Sequence, residues 1–206
     1  MKLHVAPRAP NPRRVTMFMA EKGIGNIDLV NVDVNGQQHR TADYLALSPF
    51  AKLPVLVLDD GRALSESRAI CTYLEGLHPE SNLMGRTAEE RAFIEMADRQ
   101  CELYLMNFLA TWVRHSHPGL AVLEGQQFPE FGAKNATRAR ETCAALDQHL
   151  ATHEWMAAGR FTIADITAFC GLEFARGLMK FKPGEAGFKH LQAWRDRVAA
   201  RASAAI

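Results

Sequence analysis

Lys52-Leu53-Pro54-Val55-Leu56-Val57-Leu58-Asp59-Asp60-Gly61-Arg62-Ala63-Leu64-Ser65-Glu66-Ser67 is the stretch whose reading decides the fold. Residues 54–58 are apolar and rich in β-branched side chains, as a buried strand requires. Asp59-Asp60-Gly61 is a hairpin turn signal, and Arg62-Ala63-Leu64 is the returning strand. Ser65-Glu66-Ser67 then opens a helix whose apolar positions are Ile70, Leu74 and Leu77. Upstream, Leu3 and Val5 alternate with Lys2 and His4, the pattern of a half-buried strand. Ala6-Pro7-Arg8-Ala9-Pro10-Asn11-Pro12 follows as a loop with three prolines. Asn11 reads as an N-cap, with Pro12 at the first helical position, where its missing N–H does no harm. The expected helix covers about 12–22 and stops at Gly23, suited to a left-handed cap. Ile27, Leu29, Val30, Val32 and Val34 mark a second strand ended by Asn35-Gly36. Residues 41–47 are a short helix or turn stopped by Ser48-Pro49.

The order strand, helix, strand, short helix, hairpin, helix implies a parallel pair with a crossover plus an antiparallel hairpin. A mixed four-stranded sheet with three helices is therefore expected over 1–77, an α/β domain. His78-Pro79-Glu80-Ser81-Asn82 is a polar break, and 78–86 reads as a linker. Beyond it the apolar period becomes helical and stays so, giving an all-α domain over 87–206. Thr87-Ala88-Glu89-Glu90 has the spacing of a capping box, with a helix running toward Trp112. Pro118-Gly119 and Pro129 mark loops, 133–150 is helical, Thr162-Ile163-Ala164-Asp165 opens another helix, and a last one covers about 188–200.

The 206 residues are 48% hydrophobic, with 24 basic and 23 acidic side chains for a net charge of +1. That balance carries no electrostatic footprint for nucleic acid and no polybasic membrane anchor. No segment approaches the run of about 18 apolar residues that a membrane span needs. The first six residues read as a strand rather than a secretory leader, so a cytoplasmic protein is expected. Cys71, Cys101, Cys143 and Cys170 form no Cys-x-x-Cys pair, and each sits in an apolar helical stretch. They are expected to be buried small hydrophobes.

A proline between loop and strand is where a cis peptide exposes the backbone of the residue before it. Such a freed edge pairs with an extended peptide. A helix N-terminus and the Ser67 hydroxyl suit a carboxylate, and Glu66 suits an ammonium. A short peptide along Leu53-Pro54 with its amino-acid head at Glu66-Ser67 would fit. The same residues also fit a plain capped helix, with Ser65 as cap, after an edge strand. The residues alone leave both readings open.

The block Lys52-Leu53-Pro54-Val55…Glu66-Ser67-Arg68-Ala69-Ile70 resembles the glutathione-reading motif of cytosolic glutathione transferases. Pro10-Asn11-Pro12-Arg13-Arg14-Val15…Ala20-Glu21-Lys22-Gly23 is similar to the first loop and helix of many bacterial and fungal members. Phe161-Thr162-Ile163-Ala164-Asp165 resembles the family's folding motif in the helical domain. The three occur in the family's order and span essentially the whole chain. The resemblance implies a thioredoxin-like first domain. In it Leu53 would bond the cysteinyl backbone of glutathione beside a cis-Pro54. Glu66 and Ser67 would hold its γ-glutamyl head, and His39 and Lys52 its glycine carboxylate. It further implies a cytoplasmic homodimer serving detoxification.

One departure matters. Members usually carry Tyr, Ser or Cys facing the glutathione sulfur, whereas Ala9 stands at the usual Ser position. The closest likeness is to the fungal and bacterial subgroup lacking that residue. Asn11 would then donate to the thiolate, helped by the helix N-terminus, unless it serves only as a cap. His115 or His117, at the end of the long helix, would position a water that helps deprotonate the thiol, or would simply suit the helix dipole. Two histidines at i,i+2 do not share a helix face, so no metal site is expected. Met106, Phe108 and Trp112 would shape the pocket for a small apolar electrophile, or form core. Asp165 is read as a cap rather than an acid catalyst, and Asp98 with Arg99 as facing a partner subunit. Thiolate transfer to an electrophile is the expected activity. The alternatives are a glutathione-dependent disulfide reductase and a non-catalytic carrier or interaction protein.

Overall fold

The computed structural model describes residues 1–7 and 9–206; Arg8, part of the proline-rich loop, lies outside them. The backbone separates into two compact units, Met1–Ser81 and Asn82–Ala205.

The first unit runs β1 (Lys2–Val5), α1 (Pro10–Glu21), β2 (Asp28–Asn31), α2 (Ala42–Leu47), β3 (Val55–Val57), β4 (Ala63–Ser65) and α3 (Ser67–Leu77). The sheet order is β2-β1-β3-β4, with β1 and β2 parallel and the other pairs antiparallel. This is the expected thioredoxin-like mixed sheet. Leu3 pairs with Leu56 in the ladder, and both are fully buried. Period-two alternation sends His4, Val55 and Val57 to the other face, where Val55 clusters with Tyr44 and Val32. The His4 and Tyr44 rings meet edge-on at 6.0 Å. At the far end of α1, Lys22 bonds Glu75 of α3 at 2.7 Å.

Several boundaries differ from the sequence reading. α1 begins at Pro10, with Ala9 as N-cap, so Asn11 is not the cap and Pro12 is not the first helical residue. Both prolines fall in the first three positions, where a helix asks for no N–H. The other end holds, because Gly23 has φ +65 and its N–H bonds Ala20 C=O while Ile24 N–H bonds Met19 C=O. β2 stops well before Val34. Asp33 N–H donates to Gln38 Oε1 and Gly36 N–H to Asp33 Oδ1, so side chains take the backbone groups a ladder would need. Ser65 ends β4 and does not cap α3.

The second unit contains α4 (Ala88–Gln100), a π-helical segment (Cys101–Met106), α5 (Asn107–Ser116), α6 (Ala121–Glu124), α7 (Pro129–Leu150), α8 (Ile163–Met179) and α9 (Lys189–Ala199). Pro129 starts α7 rather than marking a loop, because proline suits the first helical position. Only half of the first capping box forms. Thr87 Oγ1 accepts from Glu90 N–H, but the Glu90 carboxylate accepts from Arg86 N–H and Arg160. The π segment was not expected. Thr142 Oγ1 donates to Tyr104 C=O at 2.7 Å within it, and α8 approaches it at Gly171, where a Cβ would lie 3.1 Å from Met106 Cα. Asp98 does not face outward: it is fully buried and accepts from the Thr167 hydroxyl. All four cysteines are buried thiols, as expected.

α8 is buried along 163–172, and a helix apolar all round belongs inside a bundle. Its start carries the expected capping box. Asp165 Oδ2 accepts from Thr162 N–H at 2.9 Å and from Thr162 Oγ1 at 3.2 Å. Its Oδ1 accepts from Met156 N–H at 3.0 Å and from Trp194 Nε1 at 2.8 Å. One carboxylate thus ties α8 to the preceding loop and to α9. Removing it in Asp165→Ala orphans buried donors at about 1–3 kcal/mol each. Urea unfolding should show a loss of at least about 3 kcal/mol. Burial pushes the Asp165 carboxyl up to about 6, against hydrogen bonds that pull it down. The unfolded carboxyl titrates near 3.8, so the folded chain holds more protons between the two values. The stability this group contributes is therefore full below about pH 4 and falls as pH rises to about 6. Urea midpoints of the parent across that window should fall, and Asp165→Asn should flatten the slope.

Candidate functional site

The sheet register gathers the candidate residues of the first unit. Val5 pairs with Asn31, His4 with both Val30 and Val55, and Val55 with Ser65. The C-terminal ends of β1, β2 and β4 and the N-terminal end of β3 therefore lie along one end of the sheet. α1 with Asn11 follows β1, the His39 loop follows β2, Leu53 and Pro54 precede β3, and Glu66 and Ser67 follow β4.

The Leu53–Pro54 peptide is cis, and Leu53 lies before the first ladder pair, Val55–Ser65. Lys52 is held by its backbone: Ser48 Oγ accepts its N–H, and Tyr44 Oη and Ser48 Oγ donate to its C=O at 2.9 and 3.0 Å. Burial pushes the Tyr44 phenol up to about 12, so it stays a neutral donor. The Lys52 side chain is exposed, whereas His39 is buried in a 3-10 turn rather than solvated.

Glu66 leaves β4 with φ 69 and ψ 116, a conformation costing roughly 1–3 kcal/mol. Its side chain is exposed and accepts no hydrogen bond among the described residues. Among the described residues no side chain caps α3, whose first internal bond is Ile70 N–H to Glu66 C=O. The N–H groups of 67–69 thus precede it, and helix-dipole charge collects there. Ser67 is the first residue of α3, and its Oγ accepts from Arg14 Nη1 at 3.1 Å. Arg14 and the Tyr44–Ser48 clamp were missed in the sequence. The available signal was a charged residue, Arg14, one turn before Phe18 on the apolar face of α1.

Asn11 is exposed, and its amide has no partner among the described residues. Between the Ala9 cap and the first internal bond, Arg13 N–H to Ala9 C=O, only Asn11 carries an N–H, its neighbours being prolines. Asn11 thus supplies both backbone and side-chain donors at this helix start.

His115 and His117 belong to the second unit. His115 Nδ1 accepts from Phe128 N–H at 3.2 Å, its Nε2 lies 3.9 Å from Glu124, and its ring sits against Phe128 and Phe131. His117 Nδ1 accepts from Gly119 N–H at 3.1 Å. Tyr104, Phe108 and Trp112 form an aromatic row, with Trp112 edge-on to Phe181 at 5.9 Å. Met106 does not join it and is buried core. Among the described residues no three His, Cys, Asp or Glu gather to hold a metal, and no helix is long and apolar enough to cross a membrane.

Sequence models of the glutathione S-transferase N-terminal domain and C-terminal domain match residues 9–77 and 105–202. The chain is 31% identical to glutathione S-transferase 2 of Saccharomyces cerevisiae over 98% of its own length and 87% of that protein's. A crystal structure of a glutathione S-transferase domain-containing protein from Marinobacter aquaeolei superposes with a TM-score of 0.92 at 43% identity, covering 98% of this chain and 99% of that one. Elongation factor 1-gamma of Schizosaccharomyces pombe is 32% identical over 86% of this chain but only 42% of its own length. With near full-length identity of this order and both domain models matched, the chain belongs to the glutathione S-transferase family.

Proposed function

We propose that this glutathione S-transferase-family enzyme binds glutathione along the strand ends of its first unit and transfers the thiolate to a small apolar electrophile. The observation that carries the reading is the uncapped start of α3, with the exposed Glu66 carboxylate beside it. Glu66 receives the γ-glutamyl ammonium, while Ser67 and the helix start receive its carboxylate. Leu53 pairs with the cysteinyl backbone beside Pro54. Lys52 and His39 answer the glycine carboxylate.

Sulfur chemistry then falls to Asn11, since Ala9 has no donor to give. A donor and a positive helix end favour thiolate over thiol, and each pKa unit is worth about 1.36 kcal/mol. The thiol proton leaves to water, the sulfur lone pair forms the bond to the electrophilic carbon, and the bond from that carbon to its leaving group breaks, the leaving group departing with the electron pair. Of the two histidines, both of which accept a backbone N–H at Nδ1, His117 keeps an Nε2 with no partner among the described residues to hold a water, while His115 Nε2 lies 3.9 Å from Glu124. The aromatic row of Tyr104, Phe108 and Trp112 suits an apolar second substrate.

A homodimer, the expected assembly, is supported by large apolar side chains left in solvent, Phe50 at 80%, Phe93 at 56% and Met96 at 49% exposure. The likeness to elongation factor 1-gamma favours a second reading, a domain that binds without catalysis. The missing hydroxyl at Ala9 also keeps glutathione-dependent disulfide reduction as an alternative activity.

Glu66→Ala should weaken glutathione binding by about 1–3 kcal/mol in calorimetry, through a lost charged hydrogen bond. Unchanged affinity removes Glu66 from the site. Ultraviolet difference spectra of bound glutathione across pH should show a thiol pKa well below that of the free peptide, and Asn11→Ala should raise it while affinity holds. An unshifted pKa in the parent would leave binding without activation and move the reading to the carrier.

A further inference from the structure

We infer that Arg14 is a positioning residue for the amino-acid head of glutathione, acting through the Ser67 hydroxyl; the inference rests on the role proposed above for Ser67. Arg14 is 1% exposed on α1, among Val15, Met17, Phe18 and Met19 of the core. Burying a guanidinium costs several kcal/mol before its bonds are counted. An aliphatic side chain would fill the same place without that cost, but it could not donate to Ser67 as Arg14 does.

That bond has a consequence in hydroxyl stoichiometry. A guanidinium only donates, and a serine hydroxyl has one hydrogen and two lone pairs. Arg14 Nη1 at 3.1 Å occupies one lone pair of Ser67 Oγ. The Ser67 hydrogen must then point to an acceptor, and it has none among the described residues. Ser67 is itself 5% exposed, so that donor sits in a place where an unmet bond is costly. The start of α3 adds positive potential beside that hydroxyl. An acceptor that answers the fixed hydroxyl and the helix start is a carboxylate. The carboxylate of an α-amino acid fits this place, with its ammonium turned to Glu66. Arg14 thus distinguishes a γ-glutamyl head from one lacking its carboxylate without touching the ligand.

The test compares two ligands by calorimetry: glutathione and its analogue with 4-aminobutyrate in place of the γ-glutamyl residue, which keeps the amine and loses the carboxylate. Arg14→Met should weaken glutathione at least tenfold and change the analogue less than twofold. Ser67→Ala, measured alongside, should show the same selective loss. Should Ser67→Ala leave glutathione affinity unchanged, the reading of Ser67 itself fails. Should Ser67→Ala show the selective loss while Arg14→Met binds both ligands as the parent does, or loses both equally, the role of Arg14 fails and Ser67 stands. If Arg14→Met does not fold, Arg14→Lys carries the test, because a shorter single-point donor does not hold the Ser67 lone pair in the same way. Its glutathione-to-analogue affinity ratio should fall at least threefold, and an unchanged ratio overturns the inference.

Discussion

The start of a helix exposes backbone N–H groups that nothing inside the helix can satisfy. Three helices of this chain meet that constraint in three ways, and much of the structure follows from them. At α8 the Asp165 carboxylate closes the account, and it draws in Met156 and Trp194 as well. At α1 the sequence removes the donors, since Pro10 and Pro12 have no N–H and Asn11 alone keeps one. At α3 no side chain among the described residues caps the helix, while a strained Glu66 turns the chain from β4 into it. The closed start builds the fold. The reduced and the open starts lie at the same end of the sheet, and that is where the proposed chemistry is placed.

Much of this was legible in the residues. Alternation at Lys2–Val5 and the hairpin at Asp59-Asp60-Gly61 led directly to the mixed four-stranded sheet, because a crossover and a hairpin admit few sheets. Thr162 and Asp165 announced the start of α8, and Gly23 the end of α1. Pro54 between loop and strand pointed to the cis peptide found there. These are local signals, in which a residue's backbone preference and its role coincide.

What was not legible depends on partners far along the chain. Arg14 has no local signal for its partner, because Ser67 lies on α3, far along the chain. Asp98 reads, with Arg99, as facing a partner subunit, yet Thr167 comes to meet it in the core. Asn11 has every property of an N-cap, and only the extra proline at position 10 shifts the helix start past it. His115 and His117 carry chemistry in principle, but the start of α7 and the turn after α5 recruit their Nδ1 atoms for backbone N–H groups. Periodicity cannot see such competition for a single lone pair.

The π segment at Cys101–Met106 has a consequence for the whole helix pair that flanks it. A π turn holds one residue more than an α turn, and an α-helix advances about 100° per residue. The segment therefore acts as a phase shift between α4 and α5. Downstream of it, Leu109 and Val113 are the buried positions of α5. A single-residue deletion here would shorten the rod by only about 1.5 Å, yet it would turn every later side chain of α5 about a quarter of the way around its axis. Chain length in this stretch is thus read out as angle, and a gap that looks minor in an alignment would present a different wall to whatever binds there.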